Sequence, residues 1–572
     1  MVDKSGRFAI IEQLLADNIR YMFGNPGTVE EGFLDALGVY PDMQYVLALH
    51  ETVALAMADG YARATKRPAI VQLHSGVGLG NGIGMLYQAR RGHAPIVVLA
   101  GEAGLRYDAM DAQMAADLVA MARPVTKWAT RIVDSSSTLR VLRRAIKIAA
   151  TPPMGPVFVS LPLDILDAAC NEIIVPTSVP LTRVAPEPQE LTRIATWLAA
   201  SQHPMLIIGD GIAASGAEAE LTHVAELSGA EVWGADCSEA NISAAHPLFR
   251  GQLGHMFGEH SSAITSQADV ILICGTYVFP EVFPALSAVF ASQAKIIHID
   301  LDAYEVAKNF PVDLGLVSDP KVTLAQLAGA LEATMTPSQR ERASVRVSEY
   351  GAIQQQEKAA WRKADEARRN TLPLHASHFM GELAARLPQD AIIFDEALTV
   401  SPDLVNYIPP VLPGHYFLTR GGSLGVGLPG AIGLKLAHPE KTVIGFSGDG
   451  GSMYTIQALW TAAHHKIGAK FVICNNRSYQ LLKLNLQVYW RERGLGEQEF
   501  PASFDLSNPD IHFDELAMAM GVKAIRVEHT QYIDAALRLA LSDDEPFLID
   551  LVLTNDIPDH VAHKAVHKYG QA

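Results

Sequence analysis

Two short polar motifs, each at the end of an apolar run, constrain this chain more than any other feature. The run Thr442–Phe446 is followed by Gly448-Asp449-Gly450, and the run Phe471–Cys474 is followed by Asn475-Asn476. A helical stretch separates them, so the segment is predicted to form a strand, a turn, a helix and a second strand of a parallel sheet. The carboxyl ends of such strands meet at one edge, where folds of this kind bind ligands. We therefore expect Asp449 and Asn476 to lie side by side at that edge.

The chemistry of these side chains suits a hard cation. Magnesium prefers oxygen ligands, and it commonly takes one or two from protein and the others from phosphate and water. The carboxylate of Asp449, the amide oxygen of Asn476 and a backbone carbonyl near Ser478 are ligands of this type. The tripeptide Gly448-Asp449-Gly450 alone also describes an ordinary turn. Together with the spacing and the paired asparagines, it predicts a magnesium-diphosphate clamp.

Length and composition indicate a large globular protein with several domains. The chain has 572 residues, 49% of them hydrophobic and 19% charged, and its formal net charge is −17. This acidic balance argues against nucleic acid or an anionic membrane surface as a partner. The four cysteines are scattered, so neither a disulfide framework nor a zinc site is indicated. The N-terminus lacks the pattern of a signal peptide, and no uncharged run approaches the ~20 apolar residues of a membrane span. A soluble cytoplasmic protein is expected.

Short apolar runs alternate with helical patterns along the chain, which is typical of parallel sheets covered by helices. Two stretches break this rhythm. Residues 172–190 contain four prolines and indicate a linker, and residues 336–372 are charge-dense and indicate an exposed connecting helix. The predicted fold class is α/β, with three doubly wound parallel-sheet domains. These span residues 1–175, 190–335 and 370–555, and a C-terminal tail follows over 556–572.

The middle segment carries a motif similar to a dinucleotide-binding turn. A strand is followed by Gly209-Asp210-Gly211 within the sequence GDGIAASGAE. The glycine spacing is not GxGxxG, and the acidic residue expected about 20 positions later is ambiguous. We interpret this segment as a Rossmann-like structural domain that binds no nucleotide.

Four short motifs of the first segment belong to one common pattern. Gly24–Thr28 is a turn that opens a helix, and Leu47–Glu51 places a carboxylate after an apolar run. Leu73–Gly78 is a predicted glycine-rich turn, after which Gly80-Asn81 leads a helix. With the two motifs above and GGSLGVGLPGAIG near residue 421, the chain resembles the thiamine-diphosphate enzymes of the decarboxylase and acetohydroxyacid synthase superfamily. The resemblance to benzoylformate decarboxylases covers nearly the whole chain, whereas residues 104–129 resemble benzaldehyde lyases.

The resemblance implies thiamine diphosphate and Mg²⁺ as cofactors, and it assigns a role to each matching residue. The implied metal ligands are Asp449, Asn476 and Ser478. The other implied cofactor-binding residues are Asn25, Pro26, Gly27, Gly422, Leu424, Gly448 and Gly450, with Gly422 as a carbonyl acceptor and Leu424 as an apolar wedge. The implied catalytic residues are Glu51, which activates the pyrimidine ring, His74, which transfers protons, Thr28, which holds the substrate carboxylate, and Gln113, an active-site amide of the benzaldehyde lyase type.

The implied activity is the non-oxidative decarboxylation of a 2-oxo acid through a carbanion/enamine intermediate. The resemblance also implies a homodimer at least, and usually a homotetramer, that acts on a small molecule. A carboligase or lyase of acyloins is the first alternative, and an oxidative flavin enzyme is the second. A non-catalytic paralogue is a third, which the joint presence of Glu51, Leu424, Asp449 and Asn476 disfavours. The second histidine of the decarboxylases corresponds to Val282 here, which predicts a raised share of acyloin product.

Two groups of histidines stand apart from these motifs. His464 and His465 are adjacent on the helix predicted after Asp449, so they face different ways and a joint site is disfavoured. His560, His563 and His567 are spaced to share one face of a predicted C-terminal helix. A solvated tail or an active-site lid is favoured there over a metal site.

Overall fold

Strands account for most of the apolar runs of the sequence. The computed structural model of the protein describes residues 4–254, 258–279, 281–496 and 498–556. The strands in these ranges are β1 (Tyr21–Gly24), β2 (Gln44–Leu47), β3 (Ala69–His74), β4 (Ile96–Glu102), β5 (Trp128–Arg131), β6 (Val157–Pro162), β7 (Pro204–Ile208), β8 (Glu231–Gly234), β9 (Phe249–Gln252), β10 (Val270–Cys274), β11 (Lys295–Asp300), β12 (Leu314–Val317), β13 (Ile392–Glu396), β14 (Tyr416–Leu418), β15 (Val443–Gly448), β16 (Lys470–Asn475), β17 (Lys523–Val527) and β18 (Phe547–Val552).

Helices connect most of these strands. They are α1 (Gly6–Ala16), α2 (Glu31–Leu37), α3 (Glu51–Thr65), α4 (Ser75–Arg91), α5 (Leu118–Ala122), α6 (Thr138–Ala150), α7 (Leu163–Asp167), α8 (Pro188–Ala200), α9 (Gly211–Ser215), α10 (Glu218–Ser228), α11 (Glu259–Thr265), α12 (Pro320–Thr334), α13 (Pro337–Glu366), α14 (Ala376–Ala384), α15 (Ser401–Tyr407), α16 (Gly427–Ala437), α17 (Asp449–Ser452), α18 (Ala458–His464), α19 (Gln480–Glu492), α20 (Phe513–Ala519) and α21 (Ile533–Ala540). The single helix predicted after Asp449 is thus two short ones, α17 and α18.

The described strands form three six-stranded sheets. The first has the order β2-β1-β3-β4-β6-β5, and the second has the order β12-β11-β10-β7-β8-β9. Five strands of the third follow the order β13-β15-β16-β18-β17. Neighbouring strands in these runs pair in parallel, as for β3 with β4, β10 with β11 and β15 with β16. The prediction of an α/β protein with three parallel sheets is confirmed.

The composition of the central strands explains this architecture. Strands β4, β10 and β16 are buried along their whole length. Parallel sheets have helices on both faces, so their central strands are continuous apolar runs rather than alternating ones. Burial on both faces leaves the carboxyl ends of the strands as the places where polar residues gather.

Two compact units divide the described chain. One comprises the residues up to Pro180 together with Leu372–Ser401 and Thr419–Asp556, and it holds the first sheet and strands β13 and β15 to β18. The other comprises Leu181–Thr371 and Pro402–Leu418, and it holds the second sheet. The domain boundaries expected from the sequence stay a prediction.

Helices α3 and α16 of the first unit pack backbone against backbone. A Cβ atom added to Gly60 of α3 would collide with the carbonyl oxygen of Gly430 of α16, and one added to Gly433 would collide with that of Met57. Because α3 begins at the predicted catalytic glutamate and α16 begins just after the predicted apolar wedge, this contact fixes the relative placement of two predicted site elements.

The glycine-rich segment after β3 differs from the prediction. The sequence predicts a turn over Leu73–Gly78, but α4 begins at Ser75 and continues through the glycines to Arg91. Glycine weakens a helix by ~1 kcal/mol per residue relative to alanine. Packing overrides that preference here, because a Cβ on Gly82 would lie 2.5 Å from the side chain of Leu55 in α3.

The two predicted connecting segments largely have the expected secondary structure, although α8 begins within the first of them. Residues 170–187 contain neither helix nor strand before α8 begins at Pro188. Helix α13 runs over Pro337–Glu366 with few buried residues, and a capping box at Thr336 stabilises its start. Among the described residues, no helix combines the length and the apolar character needed to cross a membrane.

Candidate active site

Asp449 lies at the carboxyl end of β15, where the predicted clamp requires a carboxylate. The residue is buried, with 5% of its surface exposed. The backbone N–H of Gly450 donates to Asp449 Oδ1 at 2.7 Å. Burial raises the pKa of Asp449 to about 6, although the surrounding backbone N–H groups oppose this rise. A carboxylate shielded from water in this way interacts strongly with any cation that binds beside it.

Asn476 and Ser478 lie beside Asp449 at the same edge of the sheet. The parallel pairing of β15 with β16 puts Gly448 opposite Cys474, so the residues that follow the two strands are neighbours. The N–H of Ser478 donates to Asn476 Oδ1 at 3.0 Å and to Asp449 Oδ2 at 3.3 Å. Side-chain oxygens of Asp449 and Asn476 therefore converge on one backbone amide, as the spacing of the motifs predicts.

A buried network anchors the strand end that carries Asn476. Asn475 Nδ2 donates to Asp550 Oδ1 at 3.0 Å, and Arg526 donates to Asp550 Oδ2 at 2.8 Å. Burial raises the pKa of Asp550, while Asn475 and Arg526 favour its ionised form. Sequence reasoning missed Asp550 and Arg526 because they belong to β18 and β17, far along the chain from the asparagine pair.

The donor set at this edge fits a magnesium ion that arrives with phosphate groups. Asp449 and Asn476 offer two side-chain oxygens, and phosphate oxygens and water commonly complete the shell of magnesium. A Cβ atom added to Gly448 would have no heavy atom within 4 Å. The backbone of this turn is therefore open to a group that approaches it closely.

Glu51 begins helix α3 and is held by two amides. Asn25 Nδ2 donates to Glu51 Oε1 at 3.2 Å, and Asn81 Nδ2 donates to Glu51 Oε2 at 3.0 Å. Glu51 is buried, with 6% of its surface exposed. A Cβ on Gly78 would lie 3.3 Å from its carboxylate, so the glycine provides the room that the carboxylate occupies. Sequence reasoning placed Asn81 at a helix start but gave it no role.

His74 ends β3 and pairs with a glutamate that sequence reasoning missed. His74 Nδ1 lies 2.9 Å from Glu30 Oε2, and Glu30 is buried. Burial raises the pKa of Glu30, and the contact with His74 opposes that rise. Gly27 lies against the His74 ring so closely that a side chain there would collide with it. This contact engages Nδ1 and leaves Nε2 as the ring nitrogen for other partners.

The turn that precedes Glu30 carries three further predicted residues. Pro26 and Thr28 are exposed, and Gly27 between them packs on His74. Thr28 begins a short 3-10 helix that ends at Glu30. Thr28 and Glu30 therefore belong to one short segment, which contacts His74 at the end of β3.

Gln113 is exposed on the segment between β4 and α5. Ser75 Oγ donates to the sulfur of the next residue, Met114, at 3.5 Å, which brings this segment to the first turn of α4. Arg131 fixes the segment further upstream, because it donates to both carboxylate oxygens of Asp108 at 2.7 and 2.8 Å. The structure thus puts Gln113 on a loop held against the helix that follows His74.

The loop that carries Gly422 and Leu424 is built on glycines with positive φ. Gly421, Gly422 and Gly425 have φ values of 61°, 70° and 85°. Residues with a Cβ atom rarely adopt such positive φ values, so these positions favour glycine. Leu424 itself is half-buried. The loop is therefore a tight, specific structure that presents one apolar side chain.

Glu396, at the end of β13, fixes this loop through hydrogen bonds to its backbone. Its carboxylate accepts from the N–H of Gly425 at 2.6 Å and from the N–H of Gly427. Burial raises the pKa of Glu396 to about 7, and the amide donors of the loop oppose the rise. Sequence reasoning missed this residue, although a glutamate directly after a buried strand is a signal that could have identified it.

Two groups of predicted residues remain separate in the first unit. One group consists of Glu51, Asn25 and Asn81 (the Glu51 cluster), and the other consists of Asp449, Asn476 and Ser478 (the Asp449 cluster). Within the described residues, no hydrogen bond or ion pair joins the two clusters. The backbone just before Glu51 is nevertheless tied to α18. The N–H of Leu47 donates to His465 Nε2 at 2.9 Å, and its carbonyl accepts from Thr461 Oγ1 at 3.0 Å.

The prediction that the adjacent histidines face different ways is wrong, because the rings of His464 and His465 meet edge to face with centroids 4.7 Å apart. The ring of His464 stacks on Trp460 with centroids 4.6 Å apart, whereas His465 contacts Leu47. Burial lowers the pKa of His465, which suits a ring nitrogen that accepts a hydrogen bond. The other three histidines singled out in the sequence, His560, His563 and His567, lie outside the described residues. Val282 is 57% exposed in the second unit.

The glycine turn of the middle segment is closed by the chain itself. Asp210 accepts from the N–H of Ser238 at 3.0 Å and from Asn241 Nδ2 at 2.9 Å. The N–H of Gly211 donates to the carbonyl of Gly275 at 2.9 Å. The amides that a dinucleotide phosphate would need are thus used within the protein, which favours the interpretation of this segment as structural.

Comparisons with known proteins identify the family of this chain. The chain matches the family description "Thiamine pyrophosphate enzyme, N-terminal TPP binding domain" over residues 4–121, the "central domain" over 191–327 and the "C-terminal TPP binding domain" over 401–551. The chain belongs to the family of thiamine pyrophosphate enzymes, which is another name for thiamine-diphosphate enzymes.

The relatives of this chain include two kinds of enzyme. The chain is 30% identical to benzoylformate decarboxylase of Pseudomonas aeruginosa, over 96% of this chain and 98% of the relative. It is 29% identical to a probable acetolactate synthase large subunit of Methanococcus aeolicus, over 96% and 92%. Among solved structures it is similar to a thiamine-diphosphate-dependent 4-hydroxybenzoylformate decarboxylase of Rhodococcus jostii, with a TM-score of 0.82, 28% identity and coverage of 97% and 100%. The chain is therefore related both to decarboxylases and to acetolactate synthases.

Proposed function

We propose that this protein uses thiamine diphosphate and Mg²⁺ to decarboxylate a 2-oxo acid without oxidation, with an aldehyde as product. The observation that carries the proposal is the convergence of Asp449 and Asn476 on the N–H of Ser478. Asp449, Asn476 and the carbonyl of Ser478 would hold the cation, and the turn Gly448–Gly450 would face the diphosphate. When bound, thiamine diphosphate supplies a nucleophilic carbon and accepts the electrons released with carbon dioxide.

Glu51 is proposed to hold a proton against the pyrimidine ring of the cofactor. Asn25 and Asn81 donate to its two oxygens and so fix the plane of the carboxylate. Burial excludes water, so the proton shared with a ring nitrogen is not lost to solvent. In the same proposal Gly422 would offer its carbonyl to the ring amine, Leu424 would pack against the cofactor, and the turn around Asn25 would complete the pocket.

His74 is proposed as the group that moves protons at the substrate. Glu30 engages its Nδ1, which orients Nε2 for transfer. Thr28 would donate its hydroxyl to the substrate carboxylate, and Gln113 would contribute an amide from the loop held at Ser75. Val282, rather than a second histidine, stands at the position indicated by the resemblance. Product release then depends on fewer acid–base groups, which supports a share of acyloin products.

Acyloin ligation or cleavage is the second candidate activity. The relationship to acetolactate synthases favours it, because those relatives are named for joining rather than only splitting carbon–carbon bonds. We further propose a homodimer at least, and a homotetramer as the usual form. Membership of the thiamine pyrophosphate enzyme family, with an N-terminal and a C-terminal cofactor-binding domain, supports a cofactor shared between two copies.

The test is a screen of 2-oxo acids and 2-hydroxy ketones with added thiamine diphosphate and Mg²⁺. Carbon dioxide release and product chromatography, with and without an acceptor aldehyde, separate decarboxylation from ligation. The expected result is release that requires both cofactors and is absent from the Asp449→Ala and Glu51→Gln variants. Retention of thiamine diphosphate without turnover of any 2-oxo acid or 2-hydroxy ketone would contradict the proposal.

A further inference from the structure

We propose that Gln480 is a positioning residue that fixes the orientation of the Asn476 amide. This inference rests on the proposed function, in which Asn476 Oδ1 is a ligand of the cation. An asparagine amide is nearly symmetric in shape, and its two ends differ in that one accepts and the other donates. Only one of its two orientations presents oxygen to a metal ion.

Gln480 has its own orientation set by a backbone carbonyl. It lies at the first position of α19 and is buried, with 5% of its surface exposed. Its Nε2 donates to the carbonyl oxygen of Asp556 at 2.6 Å. Because a carbonyl oxygen accepts and never donates, the NH₂ end of Gln480 must face Asp556. The oxygen end therefore points the other way, toward Asn476.

Two donors meet that oxygen. Asn476 Nδ2 donates to Gln480 Oε1 at 3.1 Å, and Thr399 Oγ1 donates to the same oxygen at 2.7 Å. The NH₂ end of Asn476 is thus committed to Gln480. On the opposite side, the N–H of Ser478 donates to Asn476 Oδ1. Two independent groups, one acceptor and one donor, agree on a single orientation of the Asn476 amide.

Burial makes this orientation costly to lose. Asn476 is 6% exposed, so a flipped amide would direct its NH₂ group at the Ser478 N–H and leave buried donors without acceptors. A flipped amide would also turn its NH₂ group, rather than an oxygen, toward the cation. Outer partners that orient metal ligands typically affect metal affinity 10- to 100-fold.

Gln480 also links the cation site to the end of the last strand. Its contact with Asp556 lies four residues beyond β18, and Lys483 one turn further along α19 donates to Asn555 Oδ1 at 3.1 Å. The first turn of α19 therefore holds residues 555–556 on one side and the Asn476 amide on the other. A displacement of residues 555–556 would be transmitted to the cation ligand through one side chain.

The test compares three variants of the full chain. Gln480→Met keeps the length of the side chain but removes its hydrogen bonds, and Gln480→Glu keeps an acceptor for Asn476. Gln487→Met, on the same helix, is the matched control. Equilibrium dialysis gives the Mg²⁺ concentration at which each protein retains half of its thiamine diphosphate. We expect a rise of about 10- to 100-fold for Gln480→Met and a smaller rise for Gln480→Glu, which keeps the acceptor for Asn476 but loses the donor to Asp556. Gln487→Met should stay within about threefold of wild type.

Thermal unfolding of the cofactor-free variants provides the second measurement. Unchanged retention in Gln480→Met, with a wild-type protein that binds both cofactors, would overturn the role of Gln480 and leave the proposed function intact. Equal weakening of Gln480→Met and Gln480→Glu, with matching losses of thermal stability, would assign the residue to packing and overturn the proposal as well. Failure of the wild-type protein to retain thiamine diphosphate at any Mg²⁺ concentration would instead overturn the proposed function.

Discussion

The same tripeptide, Gly-Asp-Gly, follows a buried parallel strand in two regions of this molecule, with opposite results. After β7, Asp210 is surrounded by donors of its own domain, including Ser238, Glu239 and Asn241. After β15, Asp449 accepts from Gly450 and Ser478 and has the Asn476 amide beside it. The first carboxylate closes a loop of the protein, and the second is the proposed ligand of the cation.

The neighbouring strand explains the difference. Strand β10, which pairs with β7, is followed by Gly275, whose backbone fills the space beside the turn, so that a Cβ on Gly211 would lie 2.5 Å from its Cα atom. Strand β16, which pairs with β15, is followed by Asn476, the proposed second ligand, and a Cβ on Gly450 would meet a side chain, the Tyr479 ring at 2.4 Å, rather than the backbone of the next strand end. The chemistry of a short motif thus depends on what the adjacent strand delivers to the same edge.

Removing the carboxylate of Asp449 and removing that of Asp210 should have the most different effects on the protein. Asp449→Ala should lower activity by at least about 10³-fold, or about 4 kcal/mol, because the cation loses its only charged protein ligand in the proposed site. Activity and bound thiamine diphosphate are measured on the same preparation, and circular dichroism checks the fold. Wild-type retention of the cofactor by Asp449→Ala would remove the distinction between the two turns.

Asp210→Ala should act on stability instead. Its removal leaves the N–H groups of Ser238 and Glu239 and the amide of Asn241 without their acceptor, which we expect to cost about 3 kcal/mol in the free energy of unfolding. Denaturant titration measures this loss, and Asp210→Asn is the matched control that keeps one acceptor oxygen. Activity per folded molecule should stay at the wild-type level. A variant that is fully stable but does not bind cofactor would reverse the comparison.

The first glycine of each turn sharpens the comparison further. A Cβ on Gly209 would lie 2.5 Å from Thr276 Cβ, whereas one on Gly448 meets open space. Gly209→Ala should therefore destabilise the protein by about 2 kcal/mol through overpacking, with unchanged cofactor affinity. Gly448→Ala should leave the unfolding midpoint unchanged and weaken thiamine diphosphate binding. Equal effects of the two substitutions on stability would show that protein atoms fill the space beside both turns.

The smallest expected effect is a pH dependence of Mg²⁺ affinity. The pKa of Asp449 in the cation-free protein is raised to about 6, so its carboxylate is ionised above pH 6 and increasingly protonated below it. A proton then competes with the cation, and affinity should fall about tenfold, or about 1.4 kcal/mol, between pH 7 and pH 5. Dialysis at these pH values measures the change. Asp449→Asn binds more weakly but should lack this dependence, and an equal dependence in that variant would assign it to another group.

The sequence was sufficient for the architecture and for residues that follow one another along the chain. The alternation of apolar runs predicted three parallel sheets, since such strands need helices on both faces. The ends of β15 and β16 brought Asp449 and Asn476 together because parallel pairing aligns successive strand ends. Both predictions therefore depended on the succession of residues along the sequence.

Residues that act across elements could not be predicted in this way. Glu30, Asn81 and Glu396 support His74, Glu51 and the Leu424 loop, respectively, from other elements of the chain. Their roles depend on burial and on hydrogen-bond partners that only the folded chain defines. The helix through Gly76 and Gly78 was missed for a related reason, because packing against α3 outweighs the low helix propensity of glycine.

The contact between α3 and α16 determines how a displacement of one helix affects the other. Main chain touches main chain at Gly60 and Gly433, so neither helix can slide or rotate without the other. One helix begins at Glu51, and the other starts just after the Leu424 loop. The pair therefore behaves as one rigid unit, with Glu51 near one end and the Leu424 loop near the other. A methyl group added at its midpoint would misalign both ends at once, although it would touch neither of them.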